Sequence, residues 1–203
     1  MYPIVDVAYL RGRSLGDVLA ALAAGGARLA QLRAKRTGDR ELHALALAAR
    51  EACRRSGLGL VINDRPDVAH MLDVDGVHVG QEDLPPVEAR RVVGDRALVG
   101  LSTHNEDELQ AGVRQPVDYL AFGPIFATTT KEGADPPVGL GGLRRARQAV
   151  SGPLVAIGGI TRRNAAEVVA AGADGVAVIS DLMDAGHLEQ ATRELVRALE
   201  GTG

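Results

Sequence analysis

Among the 203 residues there is one cysteine, no tryptophan, two phenylalanines and three tyrosines, and each shortage excludes something. Cys53 has no second cysteine with which to form an internal disulfide. It sits in Ala52-Cys53-Arg54 on a helical stretch and reads as a small buried apolar residue rather than a nucleophile. Aromatics at 2% leave no platform on which nucleobases could stack. Positive charge is not in excess: 23 Lys and Arg face 26 Asp and Glu, a net charge of −3, so no basic field draws in nucleic acid. No apolar run reaches the length of a membrane span. The opening MYPIVDVAYLRGRS has none of the parts of a signal peptide. These absences lead us to expect a cytoplasmic protein that acts on small molecules, with neither nucleic acid nor a membrane as partner. If it binds anions, it must do so locally, with a few Lys, Arg and backbone N–H groups.

What is present alternates. Short Val/Ile/Leu/Ala-rich runs at 2–7, 29–32, 59–62, 76–79, 97–101, 119–122, 154–157 and 175–179 read as strands. Between and after them, 15–24, 40–56, 66–72, 85–92, 106–114, 140–150, 162–171 and 188–199 carry helical spacing, several opening on a cap or early Pro such as Thr37/Asp39, Pro66, Asn105 and Thr161. Near-continuous apolar strands with helices between them belong to parallel sheets covered on both faces. Three strands open on one phrase, at Asp75-Gly76, Asp118-Tyr119 and Asp174-Gly175, as a repeated βα unit would. Eight such units predict an α/β fold, a (β/α)8 TIM barrel formed as one domain over residues 1–203, with an open doubly wound sheet as the alternative.

In such a barrel the chemistry gathers where strands end. Strand two leaves through Gln31-Leu32-Arg33-Ala34-Lys35, and period two puts Gln31, Arg33 and Lys35 on one face, suited to an anionic substrate or to plain solvation. Strands three and four leave through Asn63-Asp64-Arg65-Pro66 and Gly80-Gln81-Glu82-Asp83. Asp64 and Asp83 could each be a helix cap, or together hold one Mg2+ with waters and phosphate oxygens; spacing alone leaves both readings open. Strand five ends in Ser102-Thr103-His104, without the Gly-x-Ser-x-Gly elbow of a hydrolase; His104 reads as packing or capping and mid-strand His78 as buried structure. His43, His70 and His187 read as surface. After strand six, Gly123-Pro124 leads to Thr128-Thr129-Thr130-Lys131, a polar loop that could close as a lid or merely flex. Gly158-Gly159 and Ile179-Ser180 follow strands seven and eight, the usual phosphate grip of this fold. The residues therefore suggest two anion sites at one mouth, and a metal beside a cationic cluster suits a diphosphate.

Taken together in chain order, QLRAK at 31–35, NDR at 63–65, GVHVGQED at 76–83, STH at 102–104, GPIFATTTK at 123–131, IGGI at 157–160 and AVIS at 177–180 resemble the thiamine phosphate synthase family over nearly the whole chain. The resemblance implies a transferase that joins hydroxymethylpyrimidine diphosphate to a thiazole phosphate, releasing pyrophosphate, and carbon dioxide when the thiazole is carboxylated. It implies that Gln31, Arg33, Lys35, Asn63, Ser102 and Lys131 hold the pyrimidine diphosphate, with Lys131, Arg33 and Ser102 taking part in catalysis. It assigns Thr128, Thr129, Thr130, Gly159, Ile179 and Ser180 to the thiazole phosphate, and Asp64 and Asp83 to one Mg2+ per active site. It also suggests a homodimer. Many relatives carry Glu where this chain has Ala34, on the face turned away from Gln31 and Arg33, and segment 132–139 departs from several of them. The rival readings are a thiazole tautomerase relative, which tends to carry His where this chain has Pro124, and a phosphate-binding barrel isomerase or epimerase.

Overall fold

The first strand, β1 (Tyr2–Asp6), is hydrogen-bonded to β2 (Leu29–Arg33) on one side and to β8 (Gly175–Val178) on the other, which closes the sheet. Between them run β3 (Gly59–Asn63), β4 (Gly76–Val79), β5 (Leu98–Thr103), β6 (Tyr119–Phe122) and β7 (Leu154–Ile157), each parallel to its sequence neighbours. The computed structural model describes residues 1–128, 130, 133 and 135–201. The expected (β/α)8 barrel is therefore the observed fold. Among the described residues no helix is long and apolar enough to cross a membrane.

The helices are α1 (Leu15–Ala24), α2 (Asp39–Ser56), α3 (Pro66–Met71), α4 (Pro86–Val93), α5 (Glu106–Gly112), α6 (Gly139–Ala149), α7 (Ala165–Ala170), α8 (Ser180–Met183) and α9 (Leu188–Glu200). Their apolar faces pack on the outside of the barrel, where Leu19, Leu22, Leu60, Ile62, Leu109, Leu143, Leu154 and Leu195 are buried. A second, smaller cluster of Tyr2, Ile4, Val61, Tyr119 and Ala177 forms separately from it. Cys53 is buried on α2, as expected, and burial pushes its thiol up to about 12.

The repeated Asp has a clear physical role. Asp75 Oδ2 accepts from the backbone N–H of Leu60 at 2.7 Å, Asp118 Oδ2 from Val99 at 2.7 Å and Asp174 Oδ2 from Leu154 at 2.8 Å. Each Asp also donates its own N–H to the carbonyl of that residue. An aspartate entering β4, β6 and β8 thus clasps the start of the strand before it, at the end of the barrel opposite the chemistry.

Some expected caps differ. The N-cap of α2 is Gly38, which has no side chain to bond with, rather than Thr37 or Asp39. Asn105 does cap α5, accepting from Glu108 N. Thr161 does not cap α7; the helix starts four residues later at Ala165, and Asn164 Oδ1 accepts from Thr161 N at 2.7 Å. The four-residue α8 was not expected, being too short to show a helical period.

Candidate active site

At the C-terminal end of the barrel lies a cavity of about 560 Å³. Every described residue expected from the sequence to have a site role lines it: Gln31, Arg33, Lys35, Asn63, Asp64, Asp83, Ser102, Thr128, Thr130, Gly159, Ile179 and Ser180. Thr129 and Lys131 lie outside the described residues.

The strand-two side chains descend in depth. Gln31 is 2% exposed, Arg33 has 21% of its side chain exposed and Lys35 47%. Ala34, between them, is absent from the lining and packs against the outer core. The period-two argument therefore holds, with one refinement: only Arg33 and Lys35 stand near the rim, and Gln31 is at the floor. Arg33 is held by Asp6, a 2% exposed carboxylate at the end of β1 that also accepts from Ala8 N at 3.0 Å. Such a pair fixes the guanidinium's position, since leaving either charge alone in a buried place is costly.

Lys35 Nζ lies 3.0 Å from Asp64 Oδ2. Asp64 adopts φ +64°, a left-handed backbone uncommon outside glycine but tolerated best by Asp and Asn. Burial, together with the adjoining Asp83 carboxylate, pushes Asp64 up to about 6 despite Lys35. Asp83 Oδ2 also accepts from Gly80 N at 2.8 Å, which holds the βα turn closed. Among the described residues no set of three or more His, Cys, Asp or Glu gathers as a metal cage. Two adjoining carboxylates, one of which raises the proton affinity of Asp64, nevertheless fit a hard divalent cation, whose remaining ligands are usually water and substrate phosphate.

On the opposite wall, Gly158 and Gly159 turn at φ +97° and +63°. A Cβ on Gly159 would lie 2.7 Å from the Ala127 carbonyl oxygen, so only glycine lets this turn pass under the strand-six loop. Asn164 Nδ2 donates to the Gly159 carbonyl at 3.0 Å, and Arg162 ties the following loop to Asp181 of α8 at 2.9 Å. The loops after β7 and β8 are thus cross-braced. Ile179 and Ser180 open α8.

The floor carries groups that the sequence reading set aside. His78 Nε2 lies 2.8 Å from Ser102 Oγ, and Nδ1 2.9 Å from the Tyr119 hydroxyl. Tyr119 meets the Tyr2 hydroxyl at 2.8 Å, and Gln31 Nε2 donates to Tyr2 at 2.9 Å. Burial pushes His78 down to about 4 and Tyr2 up to about 12, so all of these groups are neutral at physiological pH. His78 is buried, as expected, but it also forms part of the cavity wall. At the rim, His104 Nδ1 bonds Glu108 at 2.9 Å near the start of α5.

A family model described as Thiamine monophosphate synthase matches residues 1–182. The chain belongs to the thiamine monophosphate synthase family. It is similar to the thiamine-phosphate synthase of Chloroflexus aurantiacus, 50% identical over 199 residues, which cover 98% of this chain and 91% of that one. It is 46% identical to the thiamine-phosphate synthase of Methanoculleus marisnigri over 195 residues, covering 96% and 92%. Among solved structures, it resembles the thiamine phosphate pyrophosphorylase from Pyrococcus furiosus at a TM-score of 0.88 and 34% identity, covering 99% and 95%.

Within this family setting, the residues that sequence reasoning missed are Asp6, Tyr2, Tyr119, His78 and Asn164. Two signals for them were present. Asp6 is an acid inside an apolar strand, and two of the chain's three tyrosines stand at the starts of strands.

Proposed function

We propose that this chain is a thiamine-phosphate synthase, which displaces pyrophosphate from hydroxymethylpyrimidine diphosphate with the ring nitrogen of a thiazole phosphate. The observation that carries this reading is one cavity with two unlike anion-binding walls. The first has Arg33, Lys35, Asp64 and Asp83, suited to a diphosphate; the second has the braced Gly158-Gly159 turn and Ser180, suited to a monophosphate. A thiazole tautomerase would need only the second wall, and Pro124 lines the cavity where that relative tends to carry His.

Arg33, preset by Asp6, and Lys35 bind the diphosphate and stabilise the charge that grows on it as the C–O bond breaks. Asp64 and Asp83 would hold one Mg2+, which when bound supplies further neutralisation of the leaving pyrophosphate. Asn63, Ser102 and Gln31 surround the pyrimidine deeper in the barrel. Gly159, Ser180, Ile179, Thr128 and Thr130 hold the thiazole phosphate, so that its nitrogen faces the carbon losing pyrophosphate; alignment of this kind is worth several orders of magnitude in rate. Thr129 and Lys131 belong to the same loop in sequence, Lys131 lying between Thr130 and Gly133, which both line the cavity. We assign Lys131 to the pyrophosphate. No covalent nucleophile is required.

Calorimetric titration tests the two-wall reading directly. Pyrophosphate should bind only with Mg2+ present and weaken in Arg33→Ala. Thiazole phosphate should bind with or without Mg2+ and weaken in Ser180→Ala. If both ligands respond alike to metal and to both variants, the two-wall reading fails.

A further inference from the structure

The string of hydrogen bonds beneath the cavity runs without a break from Gln31 through Tyr2, Tyr119 and His78 to Ser102, at 2.9, 2.8, 2.9 and 2.8 Å in turn. It draws its members from five strands, β2, β1, β6, β4 and β5. The barrel is built to admit it. His78, Gly100 and Tyr119 are register partners on β4, β5 and β6. The rings of His78 and Tyr119 stack across Gly100 with centroids 5.5 Å apart. A Cβ on Gly100 would lie 2.1 Å from the Tyr119 ring and 2.5 Å from His78 Nδ1. This mid-strand glycine therefore leaves room for the crossing.

A hydroxyl in a dry string gives one hydrogen bond and accepts one, so fixing one link fixes the rest. Gln31 Nε2–H donates to Tyr2. The Tyr2 proton then points to Tyr119, and the Tyr119 proton to His78 Nδ1. The imidazole, bonded on both sides by hydroxyls and to no carboxylate, carries its hydrogen on Nε2 and donates it to Ser102 Oγ. At the cavity, Ser102 is left with a free O–H, and Gln31 with its carbonyl Oε1. Reversing any link reverses them all.

We infer that this string sets the donor and acceptor character of the cavity floor, making His78 and Tyr119 positioning residues for the pyrimidine ring. Pyrimidine ring nitrogens only accept, so they need the Ser102 O–H that this polarity supplies; the opposite polarity would set lone pair against lone pair. The inference rests on the synthase reading for the identity of the ring, but the polarity itself does not.

Tyr119→Phe is the decisive variant, since it keeps the stacked ring, removes one hydroxyl and replaces no residue of the lining. The loss of a fixed donor should raise KM for the pyrimidine diphosphate by about five- to tenfold. KM for the thiazole phosphate should not change. Ser102→Ala combined with Tyr119→Phe should be no worse than Ser102→Ala alone. The ¹⁵N NMR spectrum of histidine-labelled wild-type protein, with His78 assigned by its loss in His78→Gln, reads the tautomer without any need for turnover. A neutral Nε2–H form supports the inference, and an Nδ1–H form overturns it. If Tyr119→Phe does not fold, Tyr2→Phe breaks the neighbouring link and should give the same one-sided rise. Equal kinetic constants for both substrates in variant and wild type, or equal rises in both, would reduce the string to a structural element. If wild type makes no thiamine phosphate, the synthase reading fails instead, and the NMR result still decides the polarity.

Discussion

Gly159→Ala perturbs the tight turn after β7 that lines the cavity. Two costs add. At φ +63° an alanine is strained by about 1–2 kcal/mol. Its Cβ would also meet the Ala127 carbonyl oxygen and the Phe126 Cβ at 2.7 Å, an overpacking typically costing about 1–3 kcal/mol. Gly12→Ala is the internal control, with φ +77° but nothing within 4 Å of its Cβ, so it bears only the first cost. Gly159→Ala should therefore be the less stable of the two by about 1–3 kcal/mol, a Tm gap of about 2–12 °C for a chain of this size. Any relief must come from the turn shifting against the strand-six loop, which on the proposed two-wall reading moves its N–H groups off the thiazole phosphate. KM for that substrate should rise about tenfold, the equivalent of one displaced charge-assisted hydrogen bond, while KM for the pyrimidine diphosphate stays put. Calorimetry and steady-state kinetics on the three proteins suffice. Equal Tm values for the two variants, or a rise in both KM values together, would refute the reasoning.

Asp64 gives a pH-dependent prediction. Its carboxyl is raised to about 6 in the folded, metal-free protein, so the folded state holds the extra proton between the ordinary carboxylate range and pH 6. Its contribution to stability is thus lost as pH rises through that window, by about 2–3 kcal/mol. Asp64→Asn should accordingly raise Tm in EDTA at pH 7 and abolish the stabilisation that Mg2+ gives wild type; a lower Tm in EDTA contradicts the like-charge account. Asp6→Asn weakens the grip on Arg33 and should cost about 1–3 kcal/mol of stability and raise KM for the pyrimidine diphosphate, checked by denaturant titration and initial rates. Asp174→Ala breaks a clasp at the far end of the barrel and should lower Tm by about 2–4 °C with unchanged kinetic constants. A kinetic effect there would contradict the separation of stabilising and catalytic ends.

The eight strands were legible because a parallel barrel buries both faces of each strand, leaving a continuous apolar run that a polar residue ends. That same ending marked Arg33, Asp64, Asp83, Ser102, Gly159 and Ser180, and all of them line one cavity. Caps were less legible, because Gly38 and Asn164 act through backbone shape and a turn rather than through a helix-start signature. Least legible were Tyr2, Tyr119 and His78, which read as ordinary apolar or buried positions until the closed barrel brings strands one, four and six to a common centre. Gly100 held the missing signal: a glycine within a strand implies that something passes close by, though not what.

The central claim, two substrates joined in one cavity, is tested most directly by turnover. Purified protein, hydroxymethylpyrimidine diphosphate, carboxylated thiazole phosphate and Mg2+ should yield thiamine phosphate, followed as thiochrome fluorescence, with one pyrophosphate per product. The signal should vanish with EDTA and in Asp64→Ala/Asp83→Ala. Folded wild-type protein that forms no thiamine phosphate, or a double variant as active as wild type, would contradict it.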